Sequence, residues 1–192
     1  RMSAHSPWRA SSISLPAAAP SFWAWSNSCW HGTIKAGQAK PLLLVATWAE
    51  ALPLLGLRPL VTGMGRRTYD FERAAAVVFA GFAGACQPRL QPGDVVTGPV
   101  WTLDHIAQPA EKAALGARGV AAVDMETEWA AKEAAARGVP FRSVRVIIDR
   151  VGDRPLSVAT VRNFPGAARA LRRATVAALC EVESTLGPGG SS

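Results

Sequence analysis

Short apolar runs alternate with helical patterns from Pro41 to Leu186. The apolar runs are brief and unbroken, as is typical of buried parallel strands, whereas the helical segments repeat their apolar residues every three to four positions. The predicted strands are Leu42–Thr47, Leu60–Thr62, Ala74–Ala80, Val120–Val123 and Phe141–Ile148. The predicted helical segments are Glu50–Leu55, Pro109–Leu115, Glu126–Arg137 and Pro165–Leu186. This alternation predicts a three-layer α/β/α fold with a mixed, largely parallel central sheet.

The same pattern divides the chain into three parts. Residues 1–40 are rich in Ser, Ala, Pro and Trp and have no sustained period, which predicts an irregular N-terminal extension with no assigned function. Residues 41–186 form the predicted folded domain, and residues 187–192 a flexible tail that begins Gly-Pro-Gly-Gly. In a chain of 192 residues with 49% hydrophobic residues, one domain can bury a substantial core.

Charge and hydropathy narrow the classes of partner. A net charge of +7 and a pI of about 10.2 would suit a protein that binds a polyanionic partner such as a nucleic acid. The arginines are scattered, however, and no base-stacking aromatic residues are interleaved with them, so we predict no nucleic-acid partner. No apolar stretch has the roughly 18 residues that a membrane span needs.

Cysteine and histidine positions predict neither disulfides nor a metal site. Cys29, Cys86 and Cys180 are odd in number and far apart, which fits a reducing cytoplasm. The three histidines form no cluster with metal-ligand spacing. We therefore expect a cytoplasmic protein without a metal or organic cofactor.

Four carboxylates follow predicted strands. Val123-Asp124-Met125-Glu126 closes one apolar run, Asp149 ends another, and Glu50 follows the first strand. Each acid has a structural interpretation as a helix or turn cap. The alternative is that they line one ligand crevice at the carboxyl ends of parallel strands, where acids bind hydroxyl groups and transfer protons.

Two glycine-rich segments, Gly63-Met64-Gly65 and Gly81-Phe82-Ala83-Gly84, are predicted to be loops after strands, where backbone can approach a ligand closely. Residues 63–68 lack the third glycine of a dinucleotide fingerprint, and no Walker lysine follows either segment. A nucleotide-cofactor domain is therefore disfavoured.

Taken in order, these motifs resemble the nucleoside phosphorylase/nucleosidase superfamily from about Pro41 to Phe164. The resemblance is greatest to 5′-methylthioadenosine/S-adenosylhomocysteine nucleosidases and to hopanoid-associated nucleoside phosphorylases, the latter through Glu111-Lys112-Ala113-Ala114-Leu115. The motifs that carry it are Ala46–Glu50, Gly63-Met64-Gly65, Gly81–Gly84, Pro92–Val96, Val123–Glu126, Val139–Phe141 and Arg145–Asp149.

The resemblance implies roles for individual residues. Glu50 would activate the attacking water, and Asp149 would protonate or hydrogen-bond the purine leaving group. Glu126 would bind the ribose hydroxyls, with Met125 beneath the sugar. The rest of the implied substrate site consists of Gly65, Gly81, Ala83, Gly84 and Val123, with Phe164 or Trp101 as the aromatic contact to the base.

The chain also departs from the family pattern. Ile148 stands where a serine usually precedes the acid, and the segments Leu55–Leu60, Gly65–Gly81 and Val96–Val120 are short, which indicates a shortened member. The Gly81 segment carries no phosphate-binding Arg or Ser, which favours hydrolysis. We therefore expect a purine nucleosidase that cleaves a 5′-modified adenosine with water and forms a homodimer. The alternatives are a phosphate-using phosphorylase of the adenosyl-lipid type and a non-catalytic nucleoside-binding relic.

Overall fold

The structure, a computed structural model, describes residues 40–69, 71 and 74–186. The predicted N-terminal extension, apart from Lys40, and the predicted tail at 187–192 lie outside the described residues.

Six strands and four α-helices make up the described part of the chain. The strands are β1 (Pro41–Val45), β2 (Leu60–Val61), β3 (Ala76–Ala85), β4 (Val100–Thr102), β5 (Ala122–Asp124) and β6 (Phe141–Asp149). The helices are α1 (Trp48–Ala51), which continues as a 3₁₀ helix over Leu52–Leu57, then α2 (Pro109–Ala117), α3 (Thr127–Ala136) and α4 (Val158–Leu186).

The central sheet is mixed and mostly parallel, as predicted. Its strand order is β2-β1-β3-β5-β4, and β6 also pairs with β3. The β1–β2, β1–β3, β3–β6 and β4–β5 pairs are parallel, and only β3–β5 is antiparallel among the described strands. The long strand β3 therefore joins the two halves of the sheet.

Alternating residues of β3 pack on opposite sides of the sheet. On one side Val78 and Ala80 join a core that α4 covers with residues such as Leu171. On the other side Val77 and Phe79 pack with Ala130 and Ala134 of α3, together with Tyr69 and Phe71. Helices thus flank both faces of the sheet, and the three-layer prediction is confirmed.

Several predicted boundaries are wrong. Strand β3 does not end at Ala80 but continues through Gly81–Gly84, because this segment pairs with β6 and β5. Strand β4 was not predicted, and it lies inside the 96–120 segment. Helix α4 begins at Val158 rather than Pro165, so Pro165 lies within the helix. In β3, strand pairing outweighs the local glycine signal. At the start of α4 the contact is local, since Thr160 N donates to Ser157 Oγ at 3.4 Å.

No helix in the described ranges is long and apolar enough to cross a membrane.

Candidate functional site

The carboxyl ends of β1, β3 and β6 meet at one edge of the sheet, where the predicted acids lie. Glu50 is on α1 shortly after β1, and Asp149 is the last residue of β6 and pairs in register with Gly84 of β3. Strand β5 runs opposite to β3 with Val123 beside Gly84, so the chain after β5 returns along β3 toward Gly81. This topology brings Glu126 to the side of the site where Glu50 lies.

Glu50 connects helix α1 to strand β3. Its Oε2 accepts hydrogen bonds from the backbone N of Ala46 (3.0 Å) and of Thr47 (2.8 Å), and Thr47 Oγ1 caps the helix. Its Oε1 accepts a bond from the backbone N of Phe82 at 2.8 Å. The side chain is therefore a capping residue, as the structural interpretation expected, and also a buried carboxylate that reaches the sheet.

Glu126 is held by two backbone groups. Its Oε1 accepts from Gly65 N at 3.1 Å and its Oε2 from Met125 N at 3.3 Å. Burial raises the pKa of Glu126 to about 7, and the nearby Arg145 guanidinium only partly opposes this. Each carboxylate oxygen keeps a free lone pair, so the ionised group can still accept two further hydrogen bonds.

Asp124 has a structural role that the sequence only partly indicated. Its Oδ2 accepts from Thr127 N at 3.0 Å, which caps the start of α3, and its Oδ1 accepts from Thr102 Oγ1 of β4 at 2.6 Å. The same Oδ2 accepts from Arg145 Nε at 2.7 Å. Asp124 thus joins β4, α3 and β6 beneath the site.

Arg145 is a site residue to which the sequence analysis gave no role of its own. Its side chain is buried on β6, stacks over the Phe79 ring at 4.6 Å and bonds Thr127 Oγ1 through Nε at 2.9 Å. Neither Nη1 nor Nη2 has a hydrogen-bond partner among the described residues. A buried guanidinium with two unpaired nitrogens favours an oxygen-rich ligand.

Gly81 brings Glu50 and Arg145 to the same point. A Cβ built on Gly81 would lie 2.6 Å from Glu50 Oε1 and closer still to Arg145 Nη1. Any larger residue would have to displace one of these two groups. The Gly81–Gly84 segment, although it is a strand rather than a loop, therefore does allow side chains to approach the backbone closely.

Asp149 is paired with Lys112, a residue quoted above only as part of a motif. Lys112 Nζ lies 3.1 Å from Asp149 Oδ1, and the Lys112 side chain is almost completely buried. Burial raises the pKa of Asp149, while the charge and hydrogen bond of Lys112 act in the opposite direction. Asp149, the acid predicted to protonate the leaving group, is therefore largely buried and lies beside the buried Lys112 cation.

A cavity of about 100 Å³ lies next to Asp149. Four residues predicted to bind substrate or leaving group line it, namely Gly84, Val123, Met125 and Asp149. Other lining residues, which the sequence analysis did not select, are Leu103, His105, Ile106, Ala107, Lys112, Asp124 and Pro155.

The other predicted site residues lie outside the cavity lining. Gly65 reaches the site through its bond to Glu126, whereas Ala83 is buried in a core cluster with Ile147. Phe164 packs edge-on against Phe82, with ring centroids 5.7 Å apart, and Trp101 packs in a separate core cluster. The aromatic contact to a base therefore stays a prediction for both residues.

The fold and site define an α/β protein of nucleoside phosphorylase-like architecture, with buried acids at the carboxyl edge of its sheet. Residues 95–181 match the family model of the phosphorylase superfamily. This segment contains Asp124, Glu126, Arg145 and Asp149, and it begins after Glu50. The match confirms the resemblance to this superfamily that the sequence motifs indicated. No curated protein sequence matches the chain.

Solved structures with the same fold include two nucleosidases and a hydrolase. The 5′-methylthioadenosine/S-adenosylhomocysteine nucleosidase of Helicobacter pylori aligns with a TM-score of 0.64 at 14% identity, over 76% of this chain and 99% of that one. Futalosine hydrolase of the same organism gives 0.62 at 14% identity, over 73% and 98%. The Arabidopsis thaliana 5′-methylthioadenosine nucleosidase gives 0.63 at 14% identity, over 79% and 97%. At these identities the likeness establishes the fold.

Proposed function

We propose that the protein is a purine nucleosidase that cleaves the N-glycosidic bond of a 5′-modified adenosine by attack of water. The observation that carries the proposal is that the side chains of Glu50 and Arg145 both approach Gly81 of β3. Asp149 of β6 lies beside Gly84, three residues further along β3. Glu50 and Asp149 thus lie at two separate points along the end of β3. This arrangement fits a reaction that needs one carboxylate as the base for water and one carboxylic acid for the leaving group.

At the water side, Glu50 is the proposed base. Its carboxylate accepts three backbone N–H bonds, which hold it in one orientation. The unpaired Nη nitrogens of Arg145 would orient the water oxygen. In the reaction the water oxygen bonds to C1′ and Glu50 takes the water proton.

At the sugar, Glu126 is proposed to accept hydrogen bonds from the ribose hydroxyls, with Met125 against the sugar face. As the glycosidic bond breaks, the purine leaves with the electron pair and positive charge develops on the ribose. A carboxylate held by fixed backbone donors stabilises that charge without reorganising.

At the base, Asp149 is proposed to donate a proton to the departing purine. Burial, which raises the pKa of this carboxyl, favours the protonated form that this role requires. After the reaction Asp149 is ionised and Glu50 carries the proton taken from water, so the proton count balances.

A phosphorylase is the second candidate, favoured by the two unpaired nitrogens of Arg145, which could bind a phosphate oxygen. The surrounding charge argues against it. Glu50, Asp124 and Glu126 all lie near Arg145, so a phosphate dianion would meet several carboxylates around a single cation. Water has no such repulsion to overcome.

The decisive experiment is purine release from 5′-methylthioadenosine, S-adenosylhomocysteine, adenosine and inosine, with and without phosphate, followed by chromatography. Release without phosphate that is lost in Asp149→Asn supports the nucleosidase. Glu133→Gln, on α3, is the control, because Glu133 pairs with Arg137 away from the cavity, and this variant should retain most of the activity. Release that requires phosphate would indicate the phosphorylase. Nucleoside binding without turnover would indicate a non-catalytic nucleoside-binding protein.

We also propose that the protein is a cytoplasmic homodimer. Large apolar side chains are exposed around α1, including Trp48, Leu52 and Leu55, each more than half exposed. A cluster of this kind is typical of an interface with another chain. Light scattering after size exclusion gives the mass directly, and a monomer at micromolar concentration would refute the dimer.

A further inference from the structure

Lys112 is buried, and its ammonium group is fully hydrogen-bonded around Asp149. Its Nζ donates to Asp149 Oδ1 at 3.1 Å, to the carbonyl of Arg150 at 2.6 Å and to the carbonyl of Asp153 at 3.1 Å. An ammonium group has three protons, so all of them are used. Two of the acceptors belong to the turn that follows Asp149, and the third is the proposed acid itself.

Helix α2 supplies this lysine from 37 residues earlier in the chain. Pro109 begins the helix, and Lys112 donates its own backbone N–H to the carbonyl of Gln108 at 3.0 Å, so its position is fixed at the first turn. The side chain then runs inward and also lines the cavity beside Asp149. The acid is therefore held from a different element than the strand that carries it.

Gly84 is a second, independent feature of the same arrangement. A Cβ on Gly84 would lie 2.9 Å from Asp149 Oδ1 and 3.3 Å from Lys112 Cδ. The absence of a side chain on β3 is what allows the lysine stem and the carboxylate to pass so close to the strand. Strand β3 leaves room for the Lys112–Asp149 contact, helix α2 supplies the lysine, and the turn after β6 supplies two carbonyl acceptors.

We infer that Lys112 is a positioning residue that fixes one oxygen of Asp149 and the turn behind it, so that the other oxygen is presented to the purine base. This inference rests on the proposed function, because it assigns Lys112 to the acid of that reaction. Lys112 acts through Asp149 and does not exchange protons with the substrate.

The charge of Lys112 adds a measurable consequence. Because a cation beside a carboxyl favours ionisation, removal of Lys112 should raise the pKa of Asp149 further. The other titratable groups around the pair are Asp153 on the following turn, which also raises this pKa, Glu111 on α2 and the Cys86 thiol after β3, whose own pKa is about 11. His105, which contacts Glu111, and Asp124 line the same cavity.

The test compares Lys112→Met, Lys112→Arg and Gly84→Ala with the wild-type enzyme and with the control Lys132→Met. Lys132 is half-exposed on α3 and pairs with Glu128, away from the cavity. Two quantities are measured: the pKa of Asp149 by carbon NMR, with Asp149→Asn to assign the signal, and the pH profile of kcat and KM for base release.

We expect Lys112→Met to raise the pKa of Asp149, which extends its protonated form to higher pH. The variant should nevertheless lower kcat by roughly tenfold or more, because the carboxyl loses its fixed orientation, with a small change in KM because the sugar contacts are intact. Lys112→Arg should recover part of the loss, Gly84→Ala should resemble Lys112→Met, and Lys132→Met should behave as wild type. Circular dichroism confirms that each variant is folded, and if Lys112→Met is not, Lys112→Arg and Gly84→Ala carry the comparison.

The two proposals fail in different ways. An unchanged pKa of Asp149 and an unchanged pH profile in folded Lys112→Met would overturn the inference even if the enzyme is active. A wild-type protein that releases no base would refute the proposed function. The NMR titration would then still show whether Lys112 controls Asp149, since that measurement needs no turnover.

Discussion

Glu126 should make the stability of this protein depend on pH near neutrality. Its pKa is raised from 4.5 to about 7, and one unit corresponds to about 1.4 kcal/mol. The folded protein therefore binds this proton more tightly than the unfolded chain by about 3 kcal/mol. Because the pKa is raised in the folded state, the stabilising contribution of this proton to the free energy of unfolding is complete below the unfolded pKa of 4.5. It is lost as the pH rises through about 7.

Glu126→Gln isolates this contribution, because Gln is nearly isosteric and does not titrate. We expect the free energy of unfolding of the variant to exceed that of the wild type by an amount that grows by about 3 kcal/mol between about pH 4.5 and about pH 8. The pH dependence of the difference is the test, since a constant offset could arise from altered hydrogen bonds to Gly65. Urea denaturation at several pH values measures it.

The exposed Glu181 on α4 provides the control. The corresponding difference for Glu181→Gln should change by well under about 1 kcal/mol over the same range, because the exposed ion pair of Glu181 with Arg142 contributes little to stability. If the free energies of unfolding of Glu126→Gln and the wild type differ by a constant amount from acid to mildly alkaline pH, burial does not raise the pKa of Glu126.

Three further substitutions and one control test the packing of the site. Arg145→Met should lower the free energy of unfolding by about 3–5 kcal/mol in urea denaturation, because it leaves a buried carboxylate unpaired. Gly81→Ala should reduce base release by roughly tenfold or more, since its Cβ would displace the Glu50 carboxylate that orients the nucleophile. Gly166→Ala, where a Cβ meets no atom within 4 Å, should retain activity in the same assay. Thr102→Val removes a donor to a buried carboxylate and should cost about 1–3 kcal/mol in thermal denaturation.

The sheet and its acids could be predicted because the signals are local. An apolar run that ends abruptly in Asp149, or in the Asp124–Glu126 segment, shows both the strand and the polar residue at its carboxyl end. Periodicity alone thus indicated which edge of the sheet carries the site. The extension of β3 through Gly81 could not be read in this way, because glycine signals a loop until the pairing partners are known.

The cations of the site could not be predicted, because their meaning depends on contacts between distant parts of the chain. Arg145 bonds Asp124, 21 residues away, and Lys112 bonds Asp149, 37 residues away. In the sequence Arg145 interrupts an apolar run, and Lys112 is an ordinary residue of a helix. Only the fold shows that both are buried beside carboxylates.

The raised pKa of Glu126 predicts how nucleoside binding responds to pH. Asp124 and Asp149 each have a buried cation as partner, and Glu50 has three backbone donors. Glu126 has only two backbone donors and a pKa of about 7, so its charge changes within the physiological range.

If ionised Glu126 binds the ribose hydroxyls, nucleoside affinity should weaken as the pH falls below about 7, approaching tenfold per pH unit. Calorimetric titration of Asp149→Asn with 5′-methylthioadenosine measures this without turnover. Glu181→Gln, introduced into the same background, should keep the pH dependence because Glu181 is exposed on α4 and does not contact Glu126. An affinity that does not change with pH would show that Glu126 does not bind the sugar in its charged form.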